Sequence, residues 1–180
     1  MGPNARGVDG MKYARVERER RFVLRGLPPG AASRPALKVY DRYIEGTRLR
    51  LRRVEEPGQP LQLKLGQKIR LESGSPLAVA HTTMYLDVEE FEKLAALPAA
   101  ELVKVRRHLV VGPAQMAVDQ FEGRLHGLVL AETEEPAISV QELAGPLGVV
   151  AEVTDDDRFS GATLAHTETP SLRELLEPFR

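Results

Sequence analysis

The chain has 180 residues, of which 42% are hydrophobic, 28% charged and 5% aromatic, with a net charge of −1 and no cysteine. That is enough chain for one domain with its own core, and it excludes collagen-like, disulfide-scaffold and wholly disordered chains, thiolate nucleophiles and cysteine-based zinc sites. No run approaches the roughly 18 apolar residues of a membrane helix, and Met1 to Gly10 lacks the apolar segment of a secretory signal. A cytoplasmic protein with no membrane partner is expected.

Residues 1–11, rich in Gly, Asn and Pro, read as a flexible N-terminal extension, and 12–180 as a single domain. Tyr13 to Leu24 is the first element, and Leu27-Pro28-Pro29-Gly30 ends it. Leu37 to Ile44 leans to strand. Gly46 turns the chain into Thr47 to Arg53, and Pro57-Gly58 turns it again into Leu61 to Leu71. Gly74-Ser75-Pro76 is a loop, and Thr82 to Leu86 a strand. Asp87 to Leu97 reads as a helix, with Asp87 as N-cap, Glu90 three residues on, and a stripe of Phe91, Leu94 and Leu97. Leu102 to Val111, Gln115 to Phe121 and Leu128 to Glu134 are further strands. Ser139 to Ala144 and Ser171 to Pro178 are short helices. About eight strands with few helices suggest a mainly β (α+β) domain built on an antiparallel barrel or a strongly curved sheet.

The charge is segregated. Arg42 to Arg70 holds eight basic residues against three acids, whereas Glu132 to Asp157 holds eight acids and no Lys, Arg or His. A net charge near zero argues against a stable nucleic-acid complex. Segregated basic and acidic segments suit an anion accompanied by a metal cation, or else two solvated faces with surface ion pairs. Alternation along a strand puts Glu17, Glu19 and Arg21 on one face, and Arg48, Arg50 and Arg52 on another with Leu49 and Leu51 opposite. Gln62 with Lys64, Lys104 with Arg106, and Glu132 with Glu134 pair in the same way. Either these charges face solvent, or the apolar faces pack outward under helices and the charges line a wet interior. Carboxylates on neighbouring strands suit a hard divalent cation, and guanidinium forks suit a chain of phosphates.

The order of these motifs resembles the CYTH superfamily of triphosphate tunnel metalloenzymes. Glu17-Arg18-Glu19-Arg20-Arg21 is similar to the family's Glu-x-Glu-x-Lys strand, and Arg48-Leu49-Arg50-Leu51-Arg52 to its Arg-x-Arg strand. Gln62-Leu63-Lys64 stands for its Thr-x-Lys, and Lys104-Val105-Arg106 for its Lys-x-Arg. Ala131-Glu132-Thr133-Glu134 is similar to its Ala-Glu-x-Glu, and Glu152 to Phe159 with Leu164-Ala165 to its C-terminal segment. The resemblance spans Tyr13 to Ala165. It implies a closed antiparallel eight-stranded β tunnel with a few helices packed outside, and metal-dependent hydrolysis of a triphosphate with Mg²⁺ or Mn²⁺. By position it implies that Glu17, Glu19, Glu132 and Glu134 are catalytic and hold metal, with Asp119 as a supporting or second-metal group. It likewise implies that Arg21, Arg48, Arg50, Arg52, Lys64, Lys104 and Arg106 bind the substrate.

Two departures stand out. Arg21 replaces the family's lysine, and an arginine cannot trade a proton. His81-Thr82-Thr83-Met84-Tyr85 lacks the family's Arg-x-Glu, so Lys68 or Arg70 would have to supply that cation. Inorganic tripolyphosphate is favoured over nucleoside triphosphates. Thiamine triphosphate wants an aromatic stacking surface, and the chain has no Trp. The alternatives are a class IV-type adenylate cyclase making cyclic AMP, and a module that binds polyphosphate without turnover. Oligomeric state, monomer or homodimer, is not legible.

Overall fold

A computed structural model of the chain describes residues 12–71 and 78–179. The expected N-terminal extension and the loop at Gly74-Ser75-Pro76 lie outside the described residues. Ten strands are described: β1 (Arg15–Arg18), β2 (Arg20–Leu24), β3 (Ala36–Ile44), β4 (Leu49–Glu55), β5 (Gln62–Arg70), β6 (Ala78–Tyr85), β7 (Ala99–Val111), β8 (Ala114–Phe121), β9 (Val129–Thr133) and β10 (Val149–Glu152). The helices are α1 (Val88–Ala95), α2 (Val140–Leu147), α3 (Gly161–Ala165) and α4 (Thr169–Leu176).

The strands form one antiparallel sheet in the order β1-β6-β5-β4-β3-β7-β8-β9-β2-β10. The expectation of a closed eight-stranded barrel needs correction: the described residues form ten strands, and their hydrogen-bonded order has two ends, β1 and β10. The reason lies in the first element. It divides at Glu19, so that β1 pairs with β6 while β2 pairs with β9 and β10. The chain therefore passes from one flank of a strongly curved sheet to the other within a single residue. β10 was not expected. It is a four-residue run that starts where the left-handed Gly148 ends α2, and a register shift interrupts its pairing with β2.

Alternation assigns the faces. On β4 and β5, Leu51 and Leu65 point outward with Ile44 and pack under Phe91 and Leu94 of α1. That helix begins at the expected capping box, in which Asp87 and Glu90 cap each other's backbone N–H groups. Elsewhere Phe22, Met116, Val118 and Ala131 point outward under Leu143 and Leu147 of α2. The inner face is apolar at one end only. There Val23, Leu102, Phe121 and Leu130 meet Phe159, Leu164 and Leu172. The charged remainder of the inner face encloses a cavity.

Gly161 starts α3 directly over the hydroxyl of Tyr43, where an added Cβ would collide with it. Gly161→Ala is expected to lower stability by about 1–3 kcal/mol. Tyr43→Phe, which removes that hydroxyl, is expected to restore part of the loss; urea unfolding of the single and double variants measures both.

Candidate functional site

The cavity has a volume of about 890 Å³. Among the described residues, eight Arg or Lys and six Asp or Glu line it. Its walls are built strand by strand.

The basic wall is β4. Leu49 and Leu51 turn outward, which leaves Arg48, Arg50 and Arg52 facing the cavity. Behind them Asp41 of β3, 1% exposed, stands in register with Arg52. Arg52 donates to it twice, Nε to Oδ1 at 2.6 Å and a terminal nitrogen to Oδ2 at 2.7 Å. Burial pushes the Asp41 carboxyl up, but Arg52, and then Arg50 and Lys104, bring it down to about 2. Arg50 Nε lies 3.6 Å from Asp41 Oδ1 and has no hydrogen-bond partner among the described residues. Arg48 is exposed at the rim.

The floor is built by β7, β8, β9 and β2. Lys104 and Arg106 both bond the buried Asp119; Arg106 is in register with it and grips both its oxygens, at 2.7 and 2.6 Å. The same guanidinium donates to Glu132 Oε2 at 2.8 Å, and Arg21, in register with Glu132, donates to Oε1 at 3.0 Å. Burial pushes Glu132 up, but Arg21, Arg106 and Lys104 hold it well below the usual carboxylate range. Asp119 is held below that range in the same way, by Arg106 and Lys104. Burial pulls Lys104 down, and Asp119 only partly offsets it.

The acidic wall is β1 with Glu19. His81 Nδ1 lies 2.8 Å from Glu17 Oε1. Lys68 Nζ lies 2.7 Å from Glu19 Oε2 and 3.1 Å from Glu17 Oε2. Burial raises the Glu17 carboxyl, but His81 and Lys68 bring it down to about 2.

The cavity thus gathers Glu17, Glu19, Arg21, Arg48, Arg50, Arg52, Lys104, Arg106, Asp119 and Glu132 from the sequence-predicted set. Two predicted residues stay outside its lining. Glu134 follows the end of β9 and pairs with Arg15 at 2.9 Å, both well exposed. Lys64, opposite Arg52, lies over the ring of Tyr85. Sequence reasoning missed Asp41, Tyr43 and His81 as site residues, and named Lys68 only as a substitute cation. Asp41 was detectable as the one acid at an inward position between Val39 and Tyr43.

The donor chemistry fits a divalent cation. Glu17 of β1, Glu19 at the break that follows it and Glu132 of β9 offer hard oxygen ligands in one cavity, and Glu17 Oε2 is buried without a hydrogen bond among the described residues. Yet no three His, Asp or Glu side chains close into a cage among the described residues. Each of the three glutamates already bonds a nitrogen of a basic side chain, Glu17 that of His81. No helix among the described residues is long and apolar enough to cross a membrane.

No family model matches the sequence, and no curated protein matches it. Solved structures do match. Two crystal structures of NE1496, described in one as a hypothetical protein and in the other as an inorganic triphosphatase, align over 84% of this chain at a TM-score of 0.54. They are 23% and 24% identical to it, over 99% and 95% of their own chains. A Bacillus halodurans protein provisionally assigned as an adenylate cyclase aligns at 13% identity and a TM-score of 0.48, over 74% of this chain and 90% of its own. The likeness to NE1496 shows the fold: this chain shares the fold of those two structures.

Asp41 links the site to stability. Well above its ordinary value of 3.8 it is charged whether the chain is folded or not, and its contribution is complete. As pH falls from its ordinary 3.8 toward about 2, the unfolded chain takes up the proton first and the contribution is lost. That loss amounts to about 2 kcal/mol. Unfolding free energies of wild type and Asp41→Asn between pH 4 and pH 2 are expected to show the steeper decline in wild type.

Proposed function

We propose that the protein is a metal-dependent triphosphatase that cleaves a phosphoanhydride bond of inorganic tripolyphosphate, with nucleoside triphosphates as further substrates. One observation carries this reading. The cavity brings the guanidinium groups of Arg48, Arg50 and Arg52 together with the carboxylates of Glu17, Glu19 and Glu132, and Arg50 Nε has no hydrogen-bond partner among the described residues. A triphosphate is the ligand that needs both: donors for its oxygens, and carboxylates for the cation that accompanies it.

Arg50, Arg52 and Arg106 would grip phosphate oxygens, their guanidinium planes held by Asp41 and Asp119 before substrate arrives. Lys104 and Arg21 add charge at the floor, and Arg48 at the rim. Phosphoryl transfer asks chiefly for position and charge neutralisation, which this arrangement supplies. Glu17, Glu132 and Asp119 do not suit the role of general base near neutral pH. Glu17 lies at about 2, and Glu132 and Asp119 are held low by their cations. Arg21 cannot exchange a proton. The role left to Glu17, Glu19 and Glu132 is to hold a divalent cation, Mg²⁺ or Mn²⁺. When bound, such an ion supplies charge neutralisation and a more acidic attacking water. Water adds to a terminal phosphorus, the bridging P–O bond breaks, and orthophosphate and pyrophosphate leave, the proton of the attacking water passing to the phosphate products or to solvent.

Inorganic tripolyphosphate is preferred because the aromatic rings of the lining are occupied. Phe121 and Phe159 are packed in the apolar end, and Tyr43 is packed against it. They offer no free face to a base or a thiazolium ring.

Purified protein is expected to release phosphate from tripolyphosphate with Mg²⁺ or Mn²⁺. Glu132→Gln, which keeps the side chain's shape, should lower kcat by about 100-fold or more while leaving the far-UV circular dichroism unchanged. Release that is indifferent to metal or to Glu132 would contradict the reading. Mass spectrometry of the products from ATP separates hydrolysis from cyclisation.

A further inference from the structure

The Glu17–Glu19 pair already holds a cation: the ammonium of Lys68, on the neighbouring β5–β6 part of the wall. Its geometry is uneven. It hydrogen-bonds Glu19 Oε2 at 2.7 Å and makes an ion pair with Glu17 Oε2 at 3.1 Å, an oxygen that is buried without a hydrogen bond among the described residues. His81 takes the other oxygen of Glu17. Lys68 is also the least confined of the two cavity lysines, with 35% of its side chain exposed against 9% for Lys104. Next to it on the inward face of β5 is Gly66. Without a Cβ, Gly66 leaves the wall open between His81 and Arg50; an added Cβ would stand 3.3 Å from the one and 3.6 Å from the other.

We propose that Lys68 is a tethered counter-ion that competes with a divalent cation for the Glu17–Glu19 pair, so that metal binds weakly to the free protein and enters together with the triphosphate. The proposal deepens the functional reading above and rests on it. A lysine ammonium is a compact point charge on a flexible stem, and two carboxylates satisfied by it have less to offer a divalent ion. A triphosphate changes the balance. It brings negative charge to Arg50 and Arg52, and past Gly66 the Lys68 stem can turn toward it. The carboxylates are then free for the metal, and the phosphate chain gains a further donor. The cation missing from the His81 to Tyr85 strand is thereby supplied from β5.

The test is Mn²⁺ binding to the protein without phosphate, read from the electron paramagnetic resonance signal of free Mn²⁺. Lys68→Met, which keeps the stem and removes the charge, should bind Mn²⁺ about tenfold more tightly than wild type or better. Lys68→Arg keeps the charge and should stay weak. Adding Glu17→Gln to Lys68→Met should reverse the gain. Equal or weaker binding by Lys68→Met, with Lys68→Arg folded and unchanged, would overturn the proposal, as would no Mn²⁺ binding by any of these proteins. Phosphate release from tripolyphosphate by the same wild-type sample decides the functional reading separately.

Discussion

The structure depends on buried carboxylates that must be balanced where they stand. Asp41 and Asp119 are almost fully withdrawn from solvent, and each is gripped through both oxygens by an arginine of an adjacent strand. An unpaired charge at either position would cost several kcal/mol. The arginines are equally bound by the arrangement, because the carboxylates set the planes of their guanidinium groups, and both arginines line the cavity. One requirement of folding, charge compensation inside a sheet, thereby fixes the geometry of the cavity's basic surface.

The curvature of the sheet makes this possible. β4 and β5 have an apolar outer row under α1, and β2, β8 and β9 have one under α2, while their inner rows carry charge and turn apolar where Phe159 and Leu164 fill one end. The chain crosses at Glu19 from the β6 flank to the β9 flank. That crossing brings Glu17 and Glu19 into one cavity with Glu132, although the two groups sit on opposite flanks of the hydrogen-bonded order. The site's acidic and basic halves are set by strand order more than by proximity in sequence.

Much of this was legible from alternation. Glu17, Glu19, Arg21, Arg48, Arg50, Arg52, Lys104, Arg106 and Glu132 were placed on common faces by a period of two, and all line the cavity. The capping box of α1 was legible because its two residues are three apart. What was not legible depends on register. Asp41 meets Arg52 only because β3 and β4 pair at that offset, and Lys68 reaches Glu19 from 49 positions away. Glu134 follows the right period, but β9 ends at Thr133 and the side chain turns to Arg15 at the rim. The break at Glu19 that leaves the sheet with two ends has no signature in a run that alternates without interruption.

The central claim is that this cavity hydrolyses a triphosphate rather than merely holding one. The most direct measurement is ³¹P nuclear magnetic resonance of inorganic tripolyphosphate incubated with the protein and Mg²⁺. The account predicts that the tripolyphosphate resonances disappear as pyrophosphate and orthophosphate resonances rise in equal amounts. Broadened tripolyphosphate resonances that persist with no new signals, in Mg²⁺ and in Mn²⁺ alike, would contradict it.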